Sequence, residues 1–210
     1  MKIVISPLNS HFKFIDNKYL LGKSDENTDE FDILLFASRE IEEISIPSNA
    51  KKICEYAFEN CNYLTTVEIK ADSNLHTIGE EAFSCSSIKE IFVPSKVSKI
   101  GKSAFSECQN LTKVEIANNC KLQTIETYTF NNCNNLRKIE IPQNSNLQAI
   151  EESAFESSGI EELYFQSSLK ELKKGWCNDT RKLAKIIVSP LNSHFKFIDN
   201  KYLLGKYRRI

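Results

Sequence analysis

A short apolar couplet recurs along this chain at nearly constant spacing, and that recurrence limits the folds open to it more than any other feature. The pairs Ile44/Ile46, Val67/Ile69, Ile91/Val93, Val114/Ile116, Ile139/Ile141, Leu163/Phe165 and Ile186/Val188 advance by 23, 24, 23, 25, 24 and 23 residues. Five windows around them share one pattern: ICEYAFENCNYLTTVEI from Ile53, IGEEAFSCSSIKEIFV from Ile78, IGKSAFSECQNLTKVEI from Ile100, IETYTFNNCNNLRKIEI from Ile125 and IEESAFESSGIEELYF from Ile150. A weaker sixth runs from Leu172 to Val188, with Trp176 and Cys177 in place of the Ala-Phe pair, and a half unit, Ile41 to Pro47, precedes the series. A unit of about 24 residues cannot bury its own apolar face, whereas stacked units form one continuous core. The expected architecture is one elongated solenoid of about six and a half units.

The chemistry within a unit can be read position by position. V-x-I is a period-two alternation of β-branched residues, which argues a short strand with those side chains inward. Pro47, Pro94 and Pro142 follow the second inward residue, where a missing N–H ends a ladder. Leu64, Ile88, Leu111, Leu136, Ile160 and Leu183 lie three residues before the couplets and are expected in the same core. Phe58, Phe83, Phe105, Phe130 and Phe155 should stack as an aromatic spine behind the sheet.

The unit I-G-x-x-A-F-x-x-C-x-x-L-x-x-V-x-I resembles the BspA-like, or Treponema-type, leucine-rich repeat over about Ile41 to Ile187, and the window from Ile100 to Ile116 fits it at every position. The segment FKFIDNKYLLGKSD from Phe12, followed by FDILLFASRE, is similar to an insert of trichomonad BspA-like surface antigens. The resemblance implies a β-rich, right-handed, curved solenoid with short turns and 3-10 segments and a parallel sheet on its concave side. It also implies no cofactor, attachment to host or matrix molecules, and a cell-surface location.

A longer repeat overlies the short one. Lys2–Lys23 and Lys185–Lys206 agree at 20 of 22 positions, offset by 183 residues. In the first copy the alternating run Phe12–Leu21 precedes the polar SDENTDE and the apolar Ile33–Phe36, which reads as a β-hairpin of about 18 extra residues turned by Gly22 and the acidic loop. Three segments follow: 1–40, a partial repeat strand plus the inserted hairpin; 41–188, the solenoid of about six units; and 189–210, a truncated second copy of the hairpin segment. Both ends read as cut through a unit, as in a segment of a longer array or a chain with a frayed C-terminal tail. An open strand edge near Phe195–Leu204 invites edge-mediated self-association.

Several function classes are excluded or disfavoured. With 27 basic and 28 acidic residues and a net charge of −1, no basic excess or run is present to neutralise phosphates, so no nucleic-acid partner is expected. No apolar run approaches the roughly 18 to 20 residues of a membrane helix, and the first residues do not read as a secretory signal. On those grounds the cytoplasm is the alternative location to the cell surface. Seven cysteines without C-x-x-C spacing argue against zinc or a disulfide framework, and Cys61, Cys108 and Cys133 read as small buried fillers. The histidines 11, 76 and 194 fit no catalytic or metal motif, and none of the six glycines is spaced G-x-G. The sequons at Asn110 and Asn178 are no more than chance supplies. No enzyme activity, metal or cofactor is expected.

What remains is the outer face of the sheet. If the couplets point in, Glu68, Phe92, Glu115, Glu140, Tyr164 and Ile187 point out, preceded by an outward row that includes Lys113 and Lys138. Phe92, Tyr164 and Ile187 stand out, because solvent-facing strand positions are usually polar. Phe92 and Tyr164 have two repeats between them, roughly 14 to 15 Å at standard strand spacing. The expected function is non-enzymatic binding of a protein or glycan on the concave face, adhesive by resemblance. The alternative is an intracellular scaffold or regulatory module.

Overall fold

The computed structural model describes residues 4–6, 8–198 and 202–205, and every regular element among them is a strand. The chain opens with β1 (Phe12–Ile15), β2 (Tyr19–Gly22) and β3 (Ile33–Ala37). Longer and two-residue strands then alternate: β4 (Glu43–Ser45), β5 (Lys52–Ile53), β6 (Thr66–Glu68), β7 (Thr77–Ile78), β8 (Glu90–Val93), β9 (Lys99–Ile100), β10 (Lys113–Ile116), β11 (Thr124–Ile125), β12 (Lys138–Glu140), β13 (Ala149–Ile150), β14 (Glu162–Phe165), β15 (Glu171–Leu172) and β16 (Lys185–Val188). The series closes with β17 (Phe195–Ile198) and β18 (Tyr202–Gly205).

The longer strands stack in parallel as β4-β6 and β8-β10-β12-β14-β16, and the Lys89 N–H bonds to Thr65 O at 3.2 Å across the junction of the two runs. Register aligns the repeats residue for residue, with Val114 opposite Ile91 and Ile139 and Leu163 opposite Ile186. The architecture is thus a parallel β-solenoid, as the period requires. Pro47, Pro94 and Pro142 each begin a turn, their carbonyls accepting from Ala50, Val97 and Ser145.

A second sheet lines another side of the coil. The two-residue strands pair in parallel, with the five-residue β3 at one end, as β3-β5-β7-β9 and β11-β13-β15, and five of them, β5 to β13 in alternation, bury the row Ile53, Ile78, Ile100, Ile125 and Ile150. Two residues are too few to display an alternation, so Ile53, Ile78, Ile100, Ile125 and Ile150 recur with the repeat but carry no strand signal of their own.

The Ala-Phe turns form a third inter-repeat ladder. The N–H groups of Tyr56, Phe58 and Asn60 reach forward to the carbonyls of Glu80, Ala82 and Ser84, while those of Ala57, Glu59 and Cys61 bond back three residues. Alternating the direction of successive amides places two residues per unit at positive φ: Tyr56 and Asn60, Glu81 and Cys85, Ser103 and Glu107, Tyr128 and Asn132, Ser153 and Ser157. Each non-glycine there costs about 1–2 kcal/mol, which the satisfied ladder offsets.

Inside, the spine forms as expected. Phe58, Phe83, Phe105, Phe130 and Phe155 stack nearly parallel at centroid spacings of 4.8, 5.4, 5.5 and 5.5 Å, close to the spacing of adjacent strands. In the sixth unit, which lacks the Phe, Trp176 meets Phe155 edge-on. Leu64, Ile88, Leu111, Leu136 and Ile160 are fully buried, whereas Leu183, Ile186 and Val188 at the end of the stack are only half-buried. Gly79 and Gly101 permit the close stacking of neighbouring turns: a Cβ on either would lie 2.5 Å from the backbone nitrogen of Glu55 or Glu80.

The N-terminal segment departs from the expected single long strand. The run Phe12–Leu21 folds back on itself at Asp16 and Asn17, whose φ values are 48° and 55°, so β1 and β2 form a tight hairpin with Phe14 opposite Leu20. Asp and Asn tolerate this left-handed region, and the polar run Asp16–Lys18, which breaks the alternation, marks the turn. The acidic loop then leads to β3, antiparallel to β2 with a register shift between Leu20 and Leu21. β17 and β18 form the same hairpin as β1 and β2.

Candidate functional site

The outward rows of the longer strands are brought into line. Phe92 lies opposite Glu115, Glu115 opposite Glu140, and Tyr164 opposite Ile187, with Lys113 opposite both Glu90 and Lys138 in the neighbouring row. Phe92, Lys113, Glu115, Glu140, Tyr164 and Ile187 are half-buried, and Glu68 and Lys138 are exposed. The middle of the face is an ion-paired lattice: Lys113 Nζ lies 2.9 Å from Glu115 and 3.3 Å from Glu140, and Lys138 lies 2.9 Å from the other Glu140 oxygen. The hydrogen bonds of Glu115 and Glu140 raise the Lys113 ammonium above its ordinary pKa. The bond from Lys138, opposed by burial and helped by Lys113, holds Glu140 below the usual carboxylate range. Charges so paired are a poor target for a single ionic ligand.

Apolar side chains flank this lattice on both sides, Phe92 towards the N-terminus and Tyr164 with Ile187 towards the C-terminus. Glu68 is separated from the rest by the junction between β6 and β8. It lines instead a groove of about 340 Å³ with Asp16, Lys18, Tyr19, Glu43 and Thr66, where the hairpin turn overhangs the start of the sheet. The sequence pattern could not place that overhang, since it depends on where the hairpin packs. A second groove, of about 320 Å³, opens between Ile100 and Thr124 where the two-residue sheet is interrupted.

A further set of aromatics lies outside the expected site. Tyr56, Tyr63 and Tyr128 are exposed on the turn side, with Lys102 Nζ 5.8 Å from the Tyr128 ring centroid. Tyr56 and Tyr128 occupy the same variable place of the repeat, at positive φ; alignment of the units is the one signal that pairs them.

The cysteines have packing roles. All seven are free, and Cys61, Cys108, Cys120 and Cys133 are buried. Cys108 and Cys133 donate to the carbonyls of Phe83 and Phe105 in the preceding repeat, at 3.1 and 3.0 Å, and Thr180 does the same to Phe155 at 2.8 Å. Burial, against a weaker pull from Ser86, pushes the Cys108 thiol up to about 12, and burial takes Cys133 well above its ordinary value. Neither is a thiolate nucleophile at neutral pH. Among the described residues, no three His, Cys, Asp or Glu side chains converge in a way that could hold a metal ion, and no helix is long and apolar enough to cross a membrane.

With the repeat, the spine and the stacked strands described, the family match completes the assignment. The profile described as "BspA type Leucine rich repeat region" matches residues 30–144 and 119–203, in six copies. The chain belongs to the BspA-type leucine-rich repeat family. Among solved structures, this BspA-type chain is similar to the pneumococcal vaccine antigen PcpA, with 27% identity and a TM-score of 0.51 over 79% of this chain and 34% of that one. It also shares its fold with a leucine-rich cell surface protein of Faecalibacterium prausnitzii, with 22% identity and a TM-score of 0.62 over 97% of this chain and 59% of that one. The chain thus spans about a third and three-fifths of these two proteins. No curated protein is similar enough to this chain to match it.

Proposed function

We propose that this BspA-type chain is a non-enzymatic recognition module that binds a protein or glycan through the outward face of its longer-strand sheet, in the service of adhesion at a cell surface. The observation that carries this reading is the arrangement of that face, where half-buried Phe92 and the Tyr164–Ile187 pair flank the ion-paired Lys113, Glu115, Lys138 and Glu140. Aromatic side chains on a rigid scaffold, on either side of already satisfied charges, make contact area at low entropic cost. The family and the similarity to a pneumococcal antigen support a surface role. A second reading, an intracellular scaffold, is favoured by the seven free cysteines, which suit a reducing compartment.

The test is a Phe92→Ser, Tyr164→Ser double change, read as retention on an immobilised extracellular-matrix extract alongside the thermal midpoint. The expected result is lost retention with a nearly unchanged midpoint. Lost stability with unaltered retention would assign the two residues to packing and overturn the reading. Labelling intact cells with a membrane-impermeant reagent separates the two locations, because a protein protected from the label is not a surface adhesin.

A further inference from the structure

The second sheet loses its backbone bonds at one step in the middle of the coil. At the steps on either side the ladder is regular: the amides of Ser98 and Gly101 reach back to the carbonyls of His76 and Ile78 at 3.0 and 2.9 Å, and those of Gln148 and Glu151 reach back to Gln123 and Ile125 at 2.7 and 2.9 Å. Between β9 and β11 the equivalent amides are those of Gln123, Thr124 and Glu126, and the equivalent carbonyls are those of Ser98 and Ile100. Among the described residues, none of these groups bonds across the step. The groove of about 320 Å³ opens here, with the side chains of Lys99, Lys121 and Glu126 beside the unpaired main chain.

The side chains around the gap are as unmatched as its backbone. Elsewhere on this side of the coil Lys51 pairs with Asp32 at 2.7 Å, Lys52 with Glu55 at 2.9 Å and Lys173 with Glu171 at 2.6 Å. Among the described residues, neither Lys99 nor Lys121 has a carboxylate within ion-pairing distance, and Glu126 has no cation so placed. The width of the gap is fixed from behind. At the same step the amides of Ser103, Phe105 and Glu107 bond to the carbonyls of Thr127, Thr129 and Asn131 at 3.0, 3.0 and 2.8 Å, and the Phe105 and Phe130 rings stack at 5.5 Å. An extra strand would need the lips to stand two strand spacings apart, roughly 9–10 Å. The intact turn ladder and spine oppose that spreading.

A ligand for this groove must donate to the Ser98 and Ile100 carbonyls, accept from the amides of the facing lip, and carry negative charge for the two lysines. A bare oxyanion fails the first demand, because the two carbonyls and the Glu126 carboxylate would repel it. A peptide strand fails on width. Hydroxyl groups donate and accept at once. We propose that the groove binds a carboxylated sugar, a hexuronate unit of an acidic glycan, with its carboxylate between Lys99 and Lys121 and its hydroxyls against the main-chain groups of the two lips and Glu126. Those hydroxyls replace bonds to water at small net gain, and the charge-assisted contacts to the two lysines supply most of the affinity. This inference stands apart from the outward-face reading, since Phe92 and Tyr164 lie on the other sheet and failure of their test leaves the groove unaltered.

The test is heteronuclear NMR of the full chain titrated in parallel with glucuronate, glucose and acetate. The expected result is saturable movement of the Gln123, Thr124 and Glu126 amide signals by glucuronate, at an affinity about tenfold above that for glucose or acetate. Lys99→Gln and Lys121→Gln, both at exposed side chains, should each weaken glucuronate binding by about three- to fivefold. Acetate acting as well as glucuronate would reduce the groove to an adventitious anion site, and glucose acting as well would remove the carboxylate from the recognition; either result overturns the proposal. So would unmoved amides at every glucuronate concentration, a short acidic peptide that saturates the same signals in preference to glucuronate, or unaltered binding by the doubly substituted chain. Amide exchange in the free protein checks the gap without any ligand: Gln123 and Glu126 should exchange faster than Gln148 and Glu151, and equal protection would show a closed ladder and refute the site.

Discussion

The segment FKFIDNKYLLG occurs twice, and its two copies share a hairpin but not an environment. Phe12 faces Gly22 exactly as Phe195 faces Gly205, yet Phe12 is 47% exposed and Phe195 is 8% exposed. The N-terminal hairpin is held from one side by β3, with Asp32 tying the loop that joins them: Asp32 is buried, accepts the Ser24 N–H at 2.8 Å and pairs with Lys51 at 2.7 Å. The C-terminal hairpin is held by the stack itself. Phe195 sits 5.7 Å from Phe165, which meets Trp176 at 5.8 Å, and Asn192 donates to the carbonyls of Gln166 and Leu169. Asn9, the equivalent of Asn192, donates among the described residues to the local Phe12 carbonyl. Identical local sequence therefore dictates the hairpin, while the neighbour that happens to be present decides which of its side chains stabilises the molecule.

The largest expected effect separates the copies at their first aromatic. Phe195→Ala should cost about 3 kcal/mol, in keeping with a buried phenylalanine, whereas Phe12→Ala should stay within about 0.5 kcal/mol. Denaturant unfolding of the two variants measures the difference, and equal losses would remove the distinction.

A smaller effect tests the N-terminal lock. Asp32→Ala should cost about 1–3 kcal/mol, because it removes the charge-assisted hydrogen bonds from Ser24 and Lys51. Burial by itself would raise the Asp32 carboxyl; the hydrogen bonds from Lys51 and Ser24 outweigh it and hold the group below the ordinary 3.8. A depressed carboxylate contributes stability that is present above its unfolded value and is lost as pH falls through its folded value. Acid below about pH 4 should thus loosen the N-terminal hairpin, and hydrogen exchange at the β2 and β3 amides should show the loosening in the native protein but not the pH dependence in Asp32→Ala. The smallest effect concerns Lys185, whose ion pair with Glu162 at 3.1 Å lies exposed beside the C-terminal copy. Lys185→Ala should change the thermal unfolding free energy by no more than about 0.5 kcal/mol.

Much of the fold was legible because one period served every unit. The couplets, the Leu64-type residues and the phenylalanine spine all announce themselves by recurrence, and the outward rows follow from the couplets by alternation alone. The second sheet was not legible, since Ile53 or Ile100 alone in a two-residue strand has no alternation to show. The turn ladder was hidden for a different reason. Left-handed positions are usually marked by glycine, but here they hold Tyr56, Glu81, Glu107 and Tyr128, and only Gly175 in the sixth unit carries the expected residue. The ion-paired lattice and the groove beneath the hairpin turn depend on side-chain reach across repeats, which a strand pattern does not encode.

By itself, the sequence determined that the chain would stack, how far apart its layers would lie along the chain, and which residues would face inward, because a unit too small to fold alone must bury its apolar face against a copy of itself. Only the tertiary structure decided what each copy of the hairpin packs against. Inward and outward are local properties set by alternation, but whether Phe12 or Phe195 is buried depends on a neighbour that the local sequence does not contain.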